Sequence, residues 1–264
     1  MILLCSVNYV NYYQVVDKLC LMIYTSIKEG GEFMPISKAT KIEIPAPNVQ
    51  MMEVEIVGVT PLIYHRWSEK AKLMLLKTQM KDPSAKVKGI RNPKSEYLDS
   101  FYRDSEGRIA WPVLNIKKAM TDSARSIESL TMTVLRGAVF TLGDADGYIP
   151  VLVDGKEIKV EKEPVDLPEG TRMEGIMAID ADNPNILMRQ DLVRVGMGSA
   201  DLRFRPELKN WSMKFMLKWN ADILSAAQVL NLLNTAGFSC GLGEWRPSCD
   251  GNFGTFEVAQ NSAE

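Results

Sequence analysis

The chain has one histidine, His65 in Tyr64-His65-Arg66, and so one obvious candidate for general acid or base work at a phosphodiester. A lone histidine is more often structural than catalytic, and the sequence names no partner base for it. Four cysteines (Cys5, Cys20, Cys240, Cys249) show no CxxC pairing, and His65 does not complete a zinc site with them at a recognisable spacing. Idle cytosolic thiols are the simplest reading, although Cys240 and Cys249 flank one loop. The acidic turns Asp144-Ala145-Asp146 and Asp180-Ala181-Asp182 lack the spacing and closing Glu of a calcium loop. No cofactor or metal is expected.

Binding chemistry is better represented. Residues 237–258, GFSCGLGEWRPSCDGNFGTFEV, hold five glycines (Gly237, Gly241, Gly243, Gly251, Gly254) and a Trp245-Arg246 pair. Glycine at such positions signals positive φ or a close approach by another backbone. Dinucleotide and P-loop fingerprints run strand, glycine loop, helix, whereas this loop runs helix, loop, strand, so Gly241-Leu242-Gly243 is not one of them. A loop that presents backbone N–H groups with an aromatic and an arginine suits a flexible polyanion or a neighbouring subunit. A long, well-packed β-connection is the competing interpretation. A second feature is a basic run: between residues 70 and 94 stand Lys70, Lys72, Lys77, Lys81, Lys86, Lys88, Arg91 and Lys94 against a single acid, Asp82. Such runs usually mark a solvated face, but inside a chain of net charge −2 this one competes as a phosphate contact.

The elements that must position these groups are legible in part. At 264 residues, 46% hydrophobic and 24% charged, the chain is an ordinary globular protein that can bury a sizeable core. Its near-neutral balance excludes nucleic-acid binding through overall charge and requires a local patch. Residues 1–24 carry Asn8, Asn11, Gln14, Asp17 and Lys18, which interrupt any membrane span, and no secretory signal pattern follows. Lys28-Glu29-Gly30 fits a purine-rich ribosome-binding stretch with Met34 downstream. Residues 1–33 therefore read as an upstream extension without a fold of its own, in a bacterial or phage protein of the cytoplasm, and 34–264 as one domain.

Within that domain, residues 52–59 read as a strand, with Val54 and Ile56 on one face and Glu53 and Glu55 on the other. A helix is expected over 69–80 with apolar Ala71, Met74 and Leu75, followed by a basic insertion near 77–96. A short strand at 108–111 leads to Pro112, placed at the first helical position. The helix after it, to about Ile127, carries a buried stripe of Val113, Ile116, Met120, Ala124 and Ile127, with Lys117, Lys118, Thr121, Asp122 and Arg125 outward. Strands are expected at 139–142, 148–153, 157–160 and 187–195, with a hairpin turn at Asp154-Gly155 and a β-rich insertion near 143–195. Arg194, Arg203 and Arg205 add cations around the last of these. Residues 211–219 alternate Trp, Met, Phe, Leu, Trp with Ser, Lys, Met, Lys, the period of a half-buried strand. Ser225-Ala226-Ala227-Gln228 is a capping box opening a helix whose core stripe is Ala226, Val229, Leu230, Leu233 and Ala236, and a strand at 253–258 closes the chain. The fold class is α+β: two split β-α-β halves forming a ferredoxin-like (RRM-like) core with insertions.

Three segments carry a resemblance: residues 53–62, ending Thr60-Pro61-Leu62; residues 104–125, with Gly107, Pro112, Lys117 and Arg125; and residues 241–258, ending Gly254-Thr255-Phe256-Glu257-Val258. In these the chain resembles the RAMP superfamily, which includes guide-RNA-binding backbone subunits and processing nucleases of CRISPR effector complexes. It departs from the family pattern at Val113-Leu114-Asn115, where small residues are usual between the Pro and the helix, and at Glu244-Trp245, where basic residues are expected. The resemblance implies binding of single-stranded RNA or DNA along a face built from the glycine loop, the first core helix and a protruding loop. Read onto this chain, that face comprises Arg66, Lys86, Lys88, Arg91, Lys117, Lys118, Arg125, Gly241, Gly243, Trp245 and Arg246. It also implies side-by-side assembly as a homo-oligomer or nucleoprotein complex. The expected function is non-catalytic single-strand binding. A metal-independent RNA-processing endonuclease using His65, and a protein-interaction subunit without nucleic-acid affinity, are the alternatives.

Overall fold

The computed structural model describes residues 44–67, 69–82, 92–128, 130–160, 177–178, 183–195 and 199–259. The chain divides into two compact units, Met1–Ala46 and Pro47–Glu264. The first contributes only residues 44–46 to the description, and the expected extension at 1–33 lies outside it. In chain order the second unit runs β1 (Val49–Gly58), β2 (Leu62–Ile63), α1 (Glu69–Gln79), α2 (Pro93–Asp99), β3 (Ala110–Pro112), α3 (Val113–Ser123), α4 (Met132–Ala138), β4 (Val139–Leu142), β5 (Tyr148–Val153), β6 (Lys156–Glu157), β7 (Met177–Ala178), β8 (Ile186–Val195), β9 (Ser199–Leu208), β10 (Trp211–Asn220), α5 (Ala226–Ser239) and β11 (Phe256–Val258). It is a mixed α+β fold with two antiparallel sheets.

β10 is the axis of the larger sheet. Its alternating apolar residues Trp211, Met213, Phe215, Leu217 and Trp219 are all buried, the result expected of a period-two pattern with one face on the core. One edge pairs with β1 from Val49↔Asn220 to Val57↔Ser212, so Val54 and Ile56 reach the same core. The other edge is shared: Met216–Trp219 pair with β4 and Trp211–Met213 with β5. β5 goes on to pair β3 and, through the Asp154-Gly155 turn, β6. Both turn residues have positive φ (50° and 73°), the geometry that matches a hairpin's twist. β11 closes the sheet beyond β1.

Helices α3 and α5 pack on one another, and α5 also packs on β11. α5 opens with the expected capping box: the Ser225 hydroxyl accepts the Gln228 N–H, and the Gln228 side chain accepts the Ser225 N–H. Gly237 lies where β11 crosses the helix; a Cβ there would collide with the Phe256 carbonyl oxygen. The smaller sheet, β2-β9-β8-β7, is dominated by the ten-pair hairpin of β8 and β9. Charges meet on it: Arg189 donates to Asp191 on the same strand at 2.6 Å and across the hairpin to Glu207 at 3.0 Å, and Arg205 Nη1 lies 3.6 Å from Asp191 Oδ2.

Several expectations are corrected. Pro112 is the N-cap of α3 rather than its first residue, because pairing with Tyr148 keeps it extended (ψ 114°); the first helical amide, Val113, donates to the Gly147 carbonyl instead. α3 ends at Ser123 and continues as a 3-10 turn over Ala124–Ser126. Thr121 is buried, since its hydroxyl turns back to the Lys117 carbonyl, and Ile127 is only half-buried. In α5 the first-turn Ala226 is exposed, and Leu232 takes a core position beside Val229 and Leu233. The strand expected over 157–160 reduces to β6 plus a bridge at Lys159, and the last strand begins at Phe256, not 253. β9 is a strand where only scattered cations were read. α1 forms where expected, but Leu73, Leu75 and Leu76 remain exposed. Among the described residues no helix is long and apolar enough to cross a membrane.

Candidate functional site

His65 is aimed by the residues around it. Tyr64 is fully buried, its hydroxyl donating to the Ala110 carbonyl and its ring meeting Trp111 edge-on at 5.0 Å. Its N–H donates to the Pro206 carbonyl, and the next-but-one N–H, of Arg66, donates to the Ser100 carbonyl. With both neighbours pinned, the His65 side chain is left on the outer side of the segment, where Nδ1 is paired with the Glu244 carboxylate.

Glu244 is held as firmly. Its N–H donates to the Ile63 carbonyl at 3.0 Å, Leu242 is a buried plug, and the Leu242 N–H donates to the Gly254 carbonyl. Gly243 has φ +78°, and a Cβ there would run into the Ile63 carbonyl oxygen, so this glycine permits the loop to lie directly on β2. The loop is thus a packed structure as well as a surface. The hydrogen bond from His65, with Arg205 and Arg246 nearby, holds the Glu244 carboxyl below the usual carboxylate range despite partial burial.

Across from the loop, α3 presents Asn115, Lys118, Ala119 and Asp122, and together with His65, Tyr102 and Trp111 these line a cleft of about 240 Å³. Lys118 Nζ lies 3.0 Å from Asp122 Oδ2. Burial, with Tyr148 and Glu244 nearby, pushes the Tyr102 phenol up, and burial raises the Cys240 thiol. Cys240 is buried and Cys249 exposed, and both are free thiols. Among the described residues no group of three or more His, Cys, Asp or Glu side chains is placed to hold a metal ion.

Of the residues expected to contact a strand, the cleft gathers Lys118, Gly241, Gly243 and Arg246. Arg246 braces the loop, donating to the Gly243 carbonyl at 2.8 Å and to Ser248 Oγ at 2.9 Å. Trp245 is 38% exposed with φ +53° and stands outside the cleft lining. Lys117 sits apart: its ammonium donates to the Arg136 carbonyl and lies 3.8 Å from the centre of the Phe140 ring, and burial lowers its pKa. Arg125 is exposed in the turn that follows α3, and Arg66 flanks His65 outside the cleft lining. Lys86, Lys88 and Arg91 lie outside the described residues. So does the Asp180–Asp182 turn, while Asp144 is structural, accepting the N–H groups of Asp146 and Tyr148.

Sequence reasoning missed Glu244, Tyr102, Asn115 and Asp122. The spacing of Asn115, Lys118 and Asp122 already places them on one helical face, a signal that was available. Nothing local connects Glu244 to His65, which stand 179 residues apart. No protein-family profile and no curated protein matches the chain.

Proposed function

We propose that this chain is a non-catalytic single-stranded nucleic-acid-binding protein on a ferredoxin-like core of the RAMP kind, from a bacterium or phage, assembling side by side along RNA or DNA. The strand order supports the core: β11, β1 and β10 lie side by side with β4 on the far edge of β10, every pair antiparallel. α3 lies between β1 and β4 in the chain and α5 between β10 and β11. Two interleaved split β-α-β units have this order. The observation that carries the function is the convergence of the glycine loop, the polar face of α3 and the aromatic pair Tyr102 and Trp111 on one cleft. Aromatic side chains beside polar groups in one groove are a common means of holding the bases of a single strand.

The test is fluorescence anisotropy with labelled single-stranded RNA, single-stranded DNA and duplex DNA over a salt series. Single-strand affinity should fall with salt, with a log–log slope of about −2 to −3 if three or four phosphates are contacted. No affinity for any strand at low salt would overturn the reading in favour of a protein-interaction subunit. The His65–Glu244 pair favours a second reading, metal-independent RNA cleavage with His65 as general base or acid. Cleavage of the same RNA in EDTA, lost in His65→Ala with binding retained, would establish it over the first.

A further inference from the structure

The cleft between α3 and the glycine loop does not have the character of a phosphate groove. Its two cations, Lys118 and Arg246, are matched by two carboxylates, Asp122 and Glu244. Lys118 is paired with Asp122, and Arg246 is oriented by two of its five N–H donors, Nε on Ser248 and Nη1 on the Gly243 carbonyl. A phosphate entering here would meet two carboxylates as well as two cations, which leaves it little net attraction, whereas a neutral ring suffers no such repulsion. At about 240 Å³ the cleft is smaller than most drug-sized ligand sites, so it suits one flat ring system and not a stack of two.

The lining matches a nucleobase in kind. Tyr102 is partly exposed and offers aromatic surface, backed by the buried Trp111 edge-on at 5.6 Å. Asn115 brings an amide that both donates and accepts. Glu244 and Asp122 each have one oxygen paired, with His65 and with Lys118, and a second oxygen that, in the ionised carboxylate, can accept but not donate; the surroundings of Glu244 favour its ionised form.

We infer that this cleft takes one unstacked base from the bound strand and reads its hydrogen-bonding edge, preferring bases with an exocyclic amino group (adenine, cytosine, guanine) over uracil or thymine. Carboxylates need N–H donors opposite them, as in protein contacts to the amino group of cytosine. Uracil flanks its one N–H with two carbonyls that a carboxylate repels. The inference rests on the strand-binding reading of the same cleft and adds sequence preference to it.

The experiment compares the full chain's affinity for oligouridine with that for oligouridines whose central residue is adenosine, cytidine or an abasic sugar. One adenosine or cytidine should raise affinity about ten-fold over oligouridine, and the abasic sugar should not. In Glu244→Gln, whose amide presents a donor as well as an acceptor, the ratio of adenosine-containing to uridine affinity should fall to about one. Asn115→Ala, which leaves the His65–Glu244 pair in place, should reduce the same ratio and carries the test if the first variant melts early. Equal affinity for all four strands in the unaltered protein would overturn the base pocket and leave strand binding standing. Absence of binding to every strand would overturn strand binding, and the base pocket with it.

Discussion

Gly243→Ala should uncouple Glu244 from His65, and the structure allows its cost to be compared with an internal standard. Gly243 and Gly107 have nearly the same backbone angle, φ +78° and +79°. Alanine at either must adopt the left-handed region, at about 1–2 kcal/mol for an L-residue. At Gly107 a Cβ meets nothing within 4 Å, so Gly107→Ala measures that strain alone. At Gly243 the Cβ is driven into the Ile63 carbonyl oxygen and 3.0 Å from Leu62 Cδ1. Overpacking of that kind adds about 1–3 kcal/mol. It also pushes away the carbonyl that accepts the Glu244 N–H at 3.0 Å. The totals are about 2–5 kcal/mol for Gly243→Ala against about 1–2 kcal/mol for Gly107→Ala. In a domain of this size they correspond to melting-temperature losses of about 4–20 °C and 2–8 °C. Paired urea and thermal melts give the difference, and the unfolded-chain effect of replacing glycine cancels between the two variants. Equal destabilisation would refute the close approach of loop and β2.

Ser225→Ala removes one half of the capping box on α5 and should cost about 1 kcal/mol in a urea melt; an unmoved midpoint would mean that the helix start is held by packing alone. Trp211→Phe removes an indole that is 1% exposed and donates to the Thr60 carbonyl at 2.8 Å, and should cost about 2–4 kcal/mol through lost volume and an unpaired carbonyl. Glu244→Gln tests the pH dependence of stability. Because the folded protein depresses this carboxyl, its contribution is present above the unfolded carboxylate value of about 4.3 and is lost as pH falls through the folded value. The unaltered protein should therefore exceed the variant in stability at neutral pH, with the gap closing in acid; a gap constant from pH 7 to 3 would contradict it.

What was readable in the chain was readable where the code is local. The alternation over 211–219 specified β10 because every second side chain of a strand faces the same way, and all five apolar positions are buried. Ser225 and Gln228 specified the start of α5 because both partners of the box lie within one turn. The Asp154-Gly155 turn and the face of α3 that carries Lys118 follow from the same short-range rules.

Other features depend on partners distant in sequence. Pro112 became an N-cap because β5 supplies a strand partner and Gly147 a carbonyl. β9 was hidden because its Arg205 and Glu207 are buried charges in a strand that also contains a proline, tolerated only with Arg189 and Asp191 opposite on β8. The leucines of α1 look like core residues in the sequence, yet Leu73, Leu75 and Leu76 are each about half exposed. Glu244, in sequence a departure from a basic pattern, becomes the partner of His65 only when the loop lies on β2. Local spacing determined the elements and their faces, since dihedral preferences and side-chain period act within a few residues. The cleft was decided by tertiary structure alone, because it exists only where backbone hydrogen bonds bring segments more than a hundred residues apart into one register.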